Sequence, residues 1–217
     1  MDWAGRTAAA IARYRDGESR LGGATDDDPR QRQLTRLGNT AWAAGLFLLM
    51  DGRGAESAAW LRLAAGRYRE SWDEAPPGSW GRPIGATKAL LLAGGDAADA
   101  ARWALDAGAA EAESPIGRYA GTLALLVLGR DADARVLGAT LRERDDFPRD
   151  VADALVGVAA ADRAGYRAAV ESVLESFETR TEFLEDAAVA DTVLVLQRLA
   201  RGRDLDVELP ASPRLPA

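Results

Sequence analysis

The chain of 217 residues contains no cysteine and no histidine. The first absence excludes disulfides, thiolate metal sites and cysteine nucleophiles. The second removes the commonest zinc ligand, the usual base of a nucleophilic triad and the ordinary switch near neutral pH. Of the 27 basic residues only Lys88 is a lysine. An enzyme built on this chain would have to work with carboxylates, hydroxyls, arginine, tyrosine and that one amine, and neither a cofactor nor a metal is predicted. Long apolar runs are also missing. AWAAGLFLLM (41–50) and LALLVLG (123–129) fall short of the roughly 20 residues that span a bilayer. The opening MDWAGRTAAAIARYRD carries an acid early and no apolar core, so no secretory leader and no membrane partner is expected. The expectation is a soluble, cytoplasmic protein.

What is present points to helices. Hydrophobic residues make up 47% of the chain, and they are mostly alanine and leucine, with few Ile or Phe, a mixture that favours helix over strand. The net charge is −7, with 34 acidic residues interleaved with the arginines. A nucleic-acid partner needs a concentrated basic surface, so that class is excluded.

Periodicity and breakers predict about ten helices. Trp3, Thr7, Ala10, Ile11 and Tyr14 share one face of a first helix over 2–16, and GESRLGGATDDDP (17–29) reads as a loop. A second helix covers 30–50, with its later half apolar all round, and a third covers 55–73. After the break EAPPGSWGRP, Pro83 suits the first turn of a fourth helix, which runs on over 86–93 to Gly94-Gly95. Asp96 can open the fifth, and Ser114-Pro115 opens the sixth as N-cap and first helical residue. The seventh carries Ala134, Leu137 and Leu141. The eighth covers 149–161, the ninth 164–179 and the last 186–201. Leu205, Val207 and Leu209 then alternate with Asp206 and Glu208, which predicts either an extended tail docked on the helices or a disordered end.

One motif recurs. Gly95 and Gly129 lie 34 positions apart, as do Ala100 and Ala134, while Pro83 and Pro115 lie 32 apart, a spacing of one helix–turn–helix unit. With Gly at the turn and Ala on the following helix, residues 36–180 resemble tetratricopeptide repeats. The resemblance implies stacked antiparallel hairpins. Departures from it, such as the 43-residue gap from Gly52 to Gly95 and Leu or Ala at the family's aromatic positions, imply an irregular solenoid or bundle. The predicted fold is therefore all-α, with a single helical-repeat domain over 1–203 and a tail over 204–217. A second resemblance covers ADALVGVAAADRAGYRAAVESVLESFE (152–178) and ADTVLVLQRLARGRDLDVELP (190–210). These segments resemble the immunity protein 49 family of bacterial toxin-neutralising proteins, which are all-helical and end in an extended segment with Leu-Pro.

Among candidate site residues, five of the six tryptophans (Trp3, Trp42, Trp60, Trp72, Trp103) sit at helical spacing and predict packing anchors. Trp80 lies in the loop ESWDEAPPGSWGRPIG beside Arg82, a composition found where binding energy concentrates. Its alternative is a loop tucked over the core. Lys88 and Arg118 follow the two repeated prolines, and with Tyr119 they either line a groove for an acidic ligand or pair with Asp96, Glu111 or Glu113. Asp191 and Glu178 form the one carboxylate pair worth considering for acid–base work, with Arg180 or Arg118 as partners to a buried Asp191. Asp26-Asp27-Asp28 reads as a solvated loop. The sequence thus predicts a non-enzymatic protein that binds an unidentified protein partner through Trp72, Trp80, Arg82, Lys88, Arg118 and Tyr119, with neutralisation of a toxin domain as the narrower form. The alternatives are a carboxylate-based enzyme on a helical scaffold and a homodimer whose groove is its own interface.

Overall fold

The computed structural model describes residues 1–21 and 27–216. Among the described residues there are ten α-helices and no strand. They are α1 (Trp3–Leu21), α2 (Asp27–Met50), α3 (Gly54–Glu70), α4 (Gly81–Leu92), α5 (Ala98–Asp106), α6 (Pro115–Val127), α7 (Asp131–Leu141), α8 (Arg149–Ala159), α9 (Arg163–Thr179) and α10 (Asp191–Arg201), with one 3₁₀ turn at Leu184–Asp186. The all-α expectation of consecutive helices packed on one another is met. The chain divides into two compact units. One comprises Met1–Gly95, Thr181–Val189 and Pro213–Ala217, and the other Asp96–Arg180 and Ala190–Ser212.

In the first unit α1 to α4 pack in sequence, each against the next, and the 3₁₀ turn rests on α2. Its core includes Leu34, Phe47 and Leu61, all essentially inaccessible. In the second unit α5 to α9 pack in the same sequential way and α10 lies against α8 and α9. Leu123, Leu141, Leu155, Tyr166 and Leu196 form its interior. Each fully buried leucine contributes roughly 1.5–3 kcal/mol through the apolar surface removed from water.

The repeated glycine marks a specific helix ending. Gly94 and Gly129 have φ of +67° and +69°. The Gly94 N–H donates to Leu91 O and the Gly95 N–H to Leu90 O, while Gly129 donates to Leu126 O and Arg130 to Leu125 O. This is the double bond of a left-handed C-terminal cap, which satisfies carbonyls that the helix leaves over. The equivalent of Gly129 is therefore Gly94 and not Gly95, because only Gly94 takes the left-handed angle. The same pair of bonds closes α8, where the left-handed residue is Ala161, with φ +53°.

Several boundaries differ from the sequence expectation. Gly17 does not end α1, which runs on to Leu21. Gly17 is buried against α2, its carbonyl accepts from Gln33 Nε2 at 2.9 Å, and a β-carbon there would stand 3.1 Å from Leu37. It is small for close approach and not for a turn. The rest of the expected loop falls on 22–26, outside the described residues, and the backbone of Asp27 and Asp28 opens α2. The third helix stops at Glu70, so Trp72 lies in a turn. Pro83 is the third residue of α4, still within the turn whose N–H groups lack intrahelical partners. The last helix starts at Asp191 and not at 186, because Glu185 and Asp186 have φ of +54° and +55° and cannot continue a right-handed helix. By contrast Ser114 and Pro115 act as expected, with Ser114 Oγ accepting from Gly117 N at 3.2 Å. Asp96 Oδ1 accepts from Ala98 N at 2.8 Å at the start of α5.

The C-terminal segment is docked. Leu205 and Val207 are buried in the second unit, and the chain from 205 to 212 has no helix or turn. Arg203 fixes the approach to it. Its guanidinium clasps the Asp131 carboxylate and donates to Leu126 O at 2.7 Å and Leu199 O at 3.0 Å.

Candidate functional site

In the first unit the sequence 71–82 folds into a tight, internally bonded corner between α3 and α4. Trp72 N donates to Arg69 O, Ala75 N to Trp72 O and Trp80 N to Gly78 O. Gly78 turns the chain with φ +78°, and Ser79 Oγ donates to Pro76 O at 2.6 Å. Pro76 and Pro77 remove two backbone donors and fix two φ angles. The corner brings two indoles together. The ring centroids of Trp72 and Trp80 are 6.1 Å apart at 42°, and both side chains are half-buried.

Arg82 holds this corner from beneath. It is only 8% exposed. Its Nε donates to Ser71 Oγ at 2.9 Å and to Thr35 Oγ1 at 3.2 Å, and its Nη2 donates to Gln31 Oε1. Ser71 Oγ itself donates to Tyr68 O at 2.8 Å, and Thr35 Oγ1 to Gln31 O at 2.9 Å. Among the described residues no carboxylate lies within 4.0 Å of the guanidinium. Burial lowers its pKa from the ordinary arginine value, yet a guanidinium stays charged at any physiological pH. A buried cation is costly unless its hydrogen bonds are satisfied, and here three neutral oxygens from α2 and the end of α3 do so. Arg82 thus ties α4 to α2 and α3, while Trp72 and Trp80 stay partly exposed beside it, as Arg118 does in the second unit.

The other predicted residues lie elsewhere. Lys88 is 9% exposed, on α4, with Nζ 5.8 Å from the centre of the Trp42 ring, a cation–π distance. Arg118 and Tyr119 belong to the second unit. Arg118 Nε donates to Ala112 O at 3.0 Å, so the expected ion pair with Glu111 or Glu113 is replaced by a bond to a main-chain carbonyl. Tyr119 is 9% exposed and its ring lies 5.6 Å from that of Phe147. Of the tryptophans predicted as anchors, Trp42 is buried, Trp3 stacks 6.0 Å from Phe47 and Trp60 meets Tyr14 edge-on at 5.2 Å.

The carboxylates of the enzyme alternative are placed as follows. Asp191 opens α10 and is half-buried, whereas Glu178 is exposed near the end of α9. The arginines proposed to neutralise Asp191 are engaged elsewhere, Arg118 with Ala112 and Arg180 over the Phe177 ring at 4.2 Å. Among the described residues no group of three or more acidic side chains is arranged to hold a metal ion.

Sequence reasoning missed a cleft of about 940 Å³ in the second unit, open to solvent, between α7, α8 and α9. Small residues line it, Ala139, Gly157, Gly165 and Ala169 among them. Val136 at its rim is 68% exposed. The carboxylate of Asp153 faces Arg142 Nε at 2.6 Å and Arg149 Nε at 3.8 Å. A signal was present in the sequence, since Gly157 lies where a β-carbon would stand 2.9 Å from the Tyr166 backbone, but a small residue alone does not say that a cleft borders it. Among the described residues no helix is long and apolar enough to cross a membrane. No protein-family model, curated protein or solved structure matches the chain.

Proposed function

We propose that this chain is a non-enzymatic, protein-binding helical protein that engages its partner through the Trp72–Trp80 corner. The observation that carries this reading is the pair of half-buried indoles held on a short, internally hydrogen-bonded loop and anchored by Arg82. Large aromatic surface on a rigid support loses little conformational entropy on binding, which is where interface energy concentrates. The open cleft of the second unit supports docking over acid–base catalysis. Its Asp153 carboxylate is shared between two arginines, so its charge is compensated in place, and the other acids that line it, Asp150 and Asp162, each accept a backbone N–H at the start of a helix.

The resemblance of residues 152–178 and 190–210 to the immunity protein 49 family supports a narrower form of the same reading. The partner is then a bacterial toxin domain, and neutralisation is by occlusion. The test compares capture of a protein partner from host extract by the wild-type chain and by a Trp80→Ala variant of unchanged thermal stability.

A further inference from the structure

The second unit contains a groove already filled by a peptide, the chain's own residues 204–208. Leu205 and Val207 point inward and are buried, while Asp204 and Glu208 are exposed and Asp206 is half-exposed, the period-two alternation of an extended strand. Its main chain is read from both sides. On one side Gln197 of α10 pairs with a single residue, its Nε2 donating to Val207 O at 2.5 Å and its Oε1 accepting from Val207 N at 3.3 Å. On the other, α9 supplies arginines to alternate carbonyls. Arg163 donates to Asp204 O and Asp206 O, each at 2.8 Å, and Arg167 to Glu208 O at 3.4 Å. Tyr166 Oη donates to Gln197 Oε1 at 2.7 Å and so sets which end of the amide faces each group of Val207. In an extended chain one residue's N–H and C=O share a side and its neighbours' groups take the other, as in a β ladder. Gln197 and the two arginines reproduce that pattern with side chains.

We propose that the α9–α10 groove is a recognition site for an extended peptide, closed in the free protein by residues 204–208 acting as a strap. The ligand class is a partner segment that alternates apolar and acidic residues. Backbone bonds from Gln197, Arg163 and Arg167 supply affinity that does not depend on sequence, and the two sockets now holding Leu205 and Val207 select apolar side chains two apart. The acidic positions follow from charge complementarity. Arg163, Arg167 and Arg201 border the groove, and Arg201 Nε already meets Asp206 Oδ2 at 3.3 Å. The strap leaves α10 through Asp204, a non-glycine residue with φ +57°, so strain sits at its hinge. This proposal uses the second unit alone and does not depend on the Trp72–Trp80 corner.

The experiment titrates a fluorescein-labelled synthetic peptide with the sequence of residues 204–210 into the full chain and reads anisotropy. A tethered strap competes at an effective concentration of roughly millimolar. The Leu205→Ser/Val207→Ser chain should therefore bind the peptide at least tenfold more tightly than wild type, and adding Gln197→Ala should remove the gain. Equal binding by all three chains, or a gain that survives Gln197→Ala, overturns the proposal. Hydrogen exchange of the wild-type chain gives a reading that needs no variant. The Val207 amide should exchange faster than those of Val195 and Leu196 in α10, and exchange of all three at one rate, only through global unfolding, overturns it. A concentration-dependent wild-type dimer lost on Gln197→Ala would assign the groove to the tail of a second copy and overturn the partner assignment.

Discussion

The ring of Tyr68 on α3 occupies the place where Gly85 of α4 would carry a β-carbon, which would stand 2.6 Å from Tyr68 Cε2. On its other side the ring blocks the β-carbon position of Gly38 at 2.8 Å, and its hydroxyl donates to Asn39 Oδ1 at 2.9 Å. The ring is clamped and cannot move aside. Gly85→Ala should therefore destabilise the protein by about 2 kcal/mol, within the usual range for overpacking. For a chain of this size that lowers the melting temperature by roughly 4–8 °C, readable by circular dichroism.

Ala161 holds a left-handed angle that costs an alanine about 1 kcal/mol or more and glycine little. Ala161→Gly should raise stability by about that amount, because the α8 cap bonds from Ala161 N and Asp162 N stay in place. Gly129→Ala, at an equivalent cap, should lower stability by a similar amount. Urea midpoints at constant slope would check both. Equal and small effects at the two sites would show that the left-handed caps are not strained.

Arg82 and Trp80 should separate cleanly. Arg82→Met leaves Ser71, Thr35 and Gln31 without their shared donor and should destabilise by about 2–3 kcal/mol. Arg82→Lys should not rescue it, since an ammonium cannot present the guanidinium's planar fork to three acceptors. Trp80→Ala should leave the unfolding curve within about 0.5–1 kcal/mol of wild type, as expected for a half-exposed side chain outside the core.

The phenol of Tyr166 predicts an alkaline limit. Burial pushes its pKa well above the ordinary tyrosine value, and the nearby Asp206 carboxylate adds to the shift. The unfolded chain releases this proton near pH 10, while the folded chain keeps it, so above that pH the unfolded state binds fewer protons. Stability is then fully present below about pH 10 and declines as pH rises beyond it. Tyr14, raised chiefly by burial, acts in the same direction. Denaturation titrations from pH 8 to 11 should show this loss, with a shallower slope for Tyr166→Phe.

How much of this was legible in the sequence depended on how local the cause was. Ser114-Pro115 announced the start of α6 because the cap bond runs only to Gly117, whereas the alternation at Leu205 and Val207 left a docked extended tail and a disordered end equally open. Gly17 was misread because a glycine that admits a neighbouring helix is written the same way as one that breaks its own. Glu185 carried no signal, and Asp186, although aspartate tolerates a left-handed angle better than most residues, did not by itself mark one. The Trp72–Trp80 contact and the burial of Arg82 depended on acceptors as distant as Gln31 and Thr35 on α2, which no local pattern reports. Nothing local marks Gln197 either, since its main-chain partner Val207 lies ten residues further on.

The most direct test of the docking assignment is quantitative capture from host extract, read by mass spectrometry, with wild-type and Trp80→Ala chains of matched stability as baits. The account predicts a protein enriched by the wild-type bait and recovered at less than one tenth of that level, by roughly 1.4 kcal/mol or more of lost affinity, on the variant. Equal recovery on both baits would contradict it.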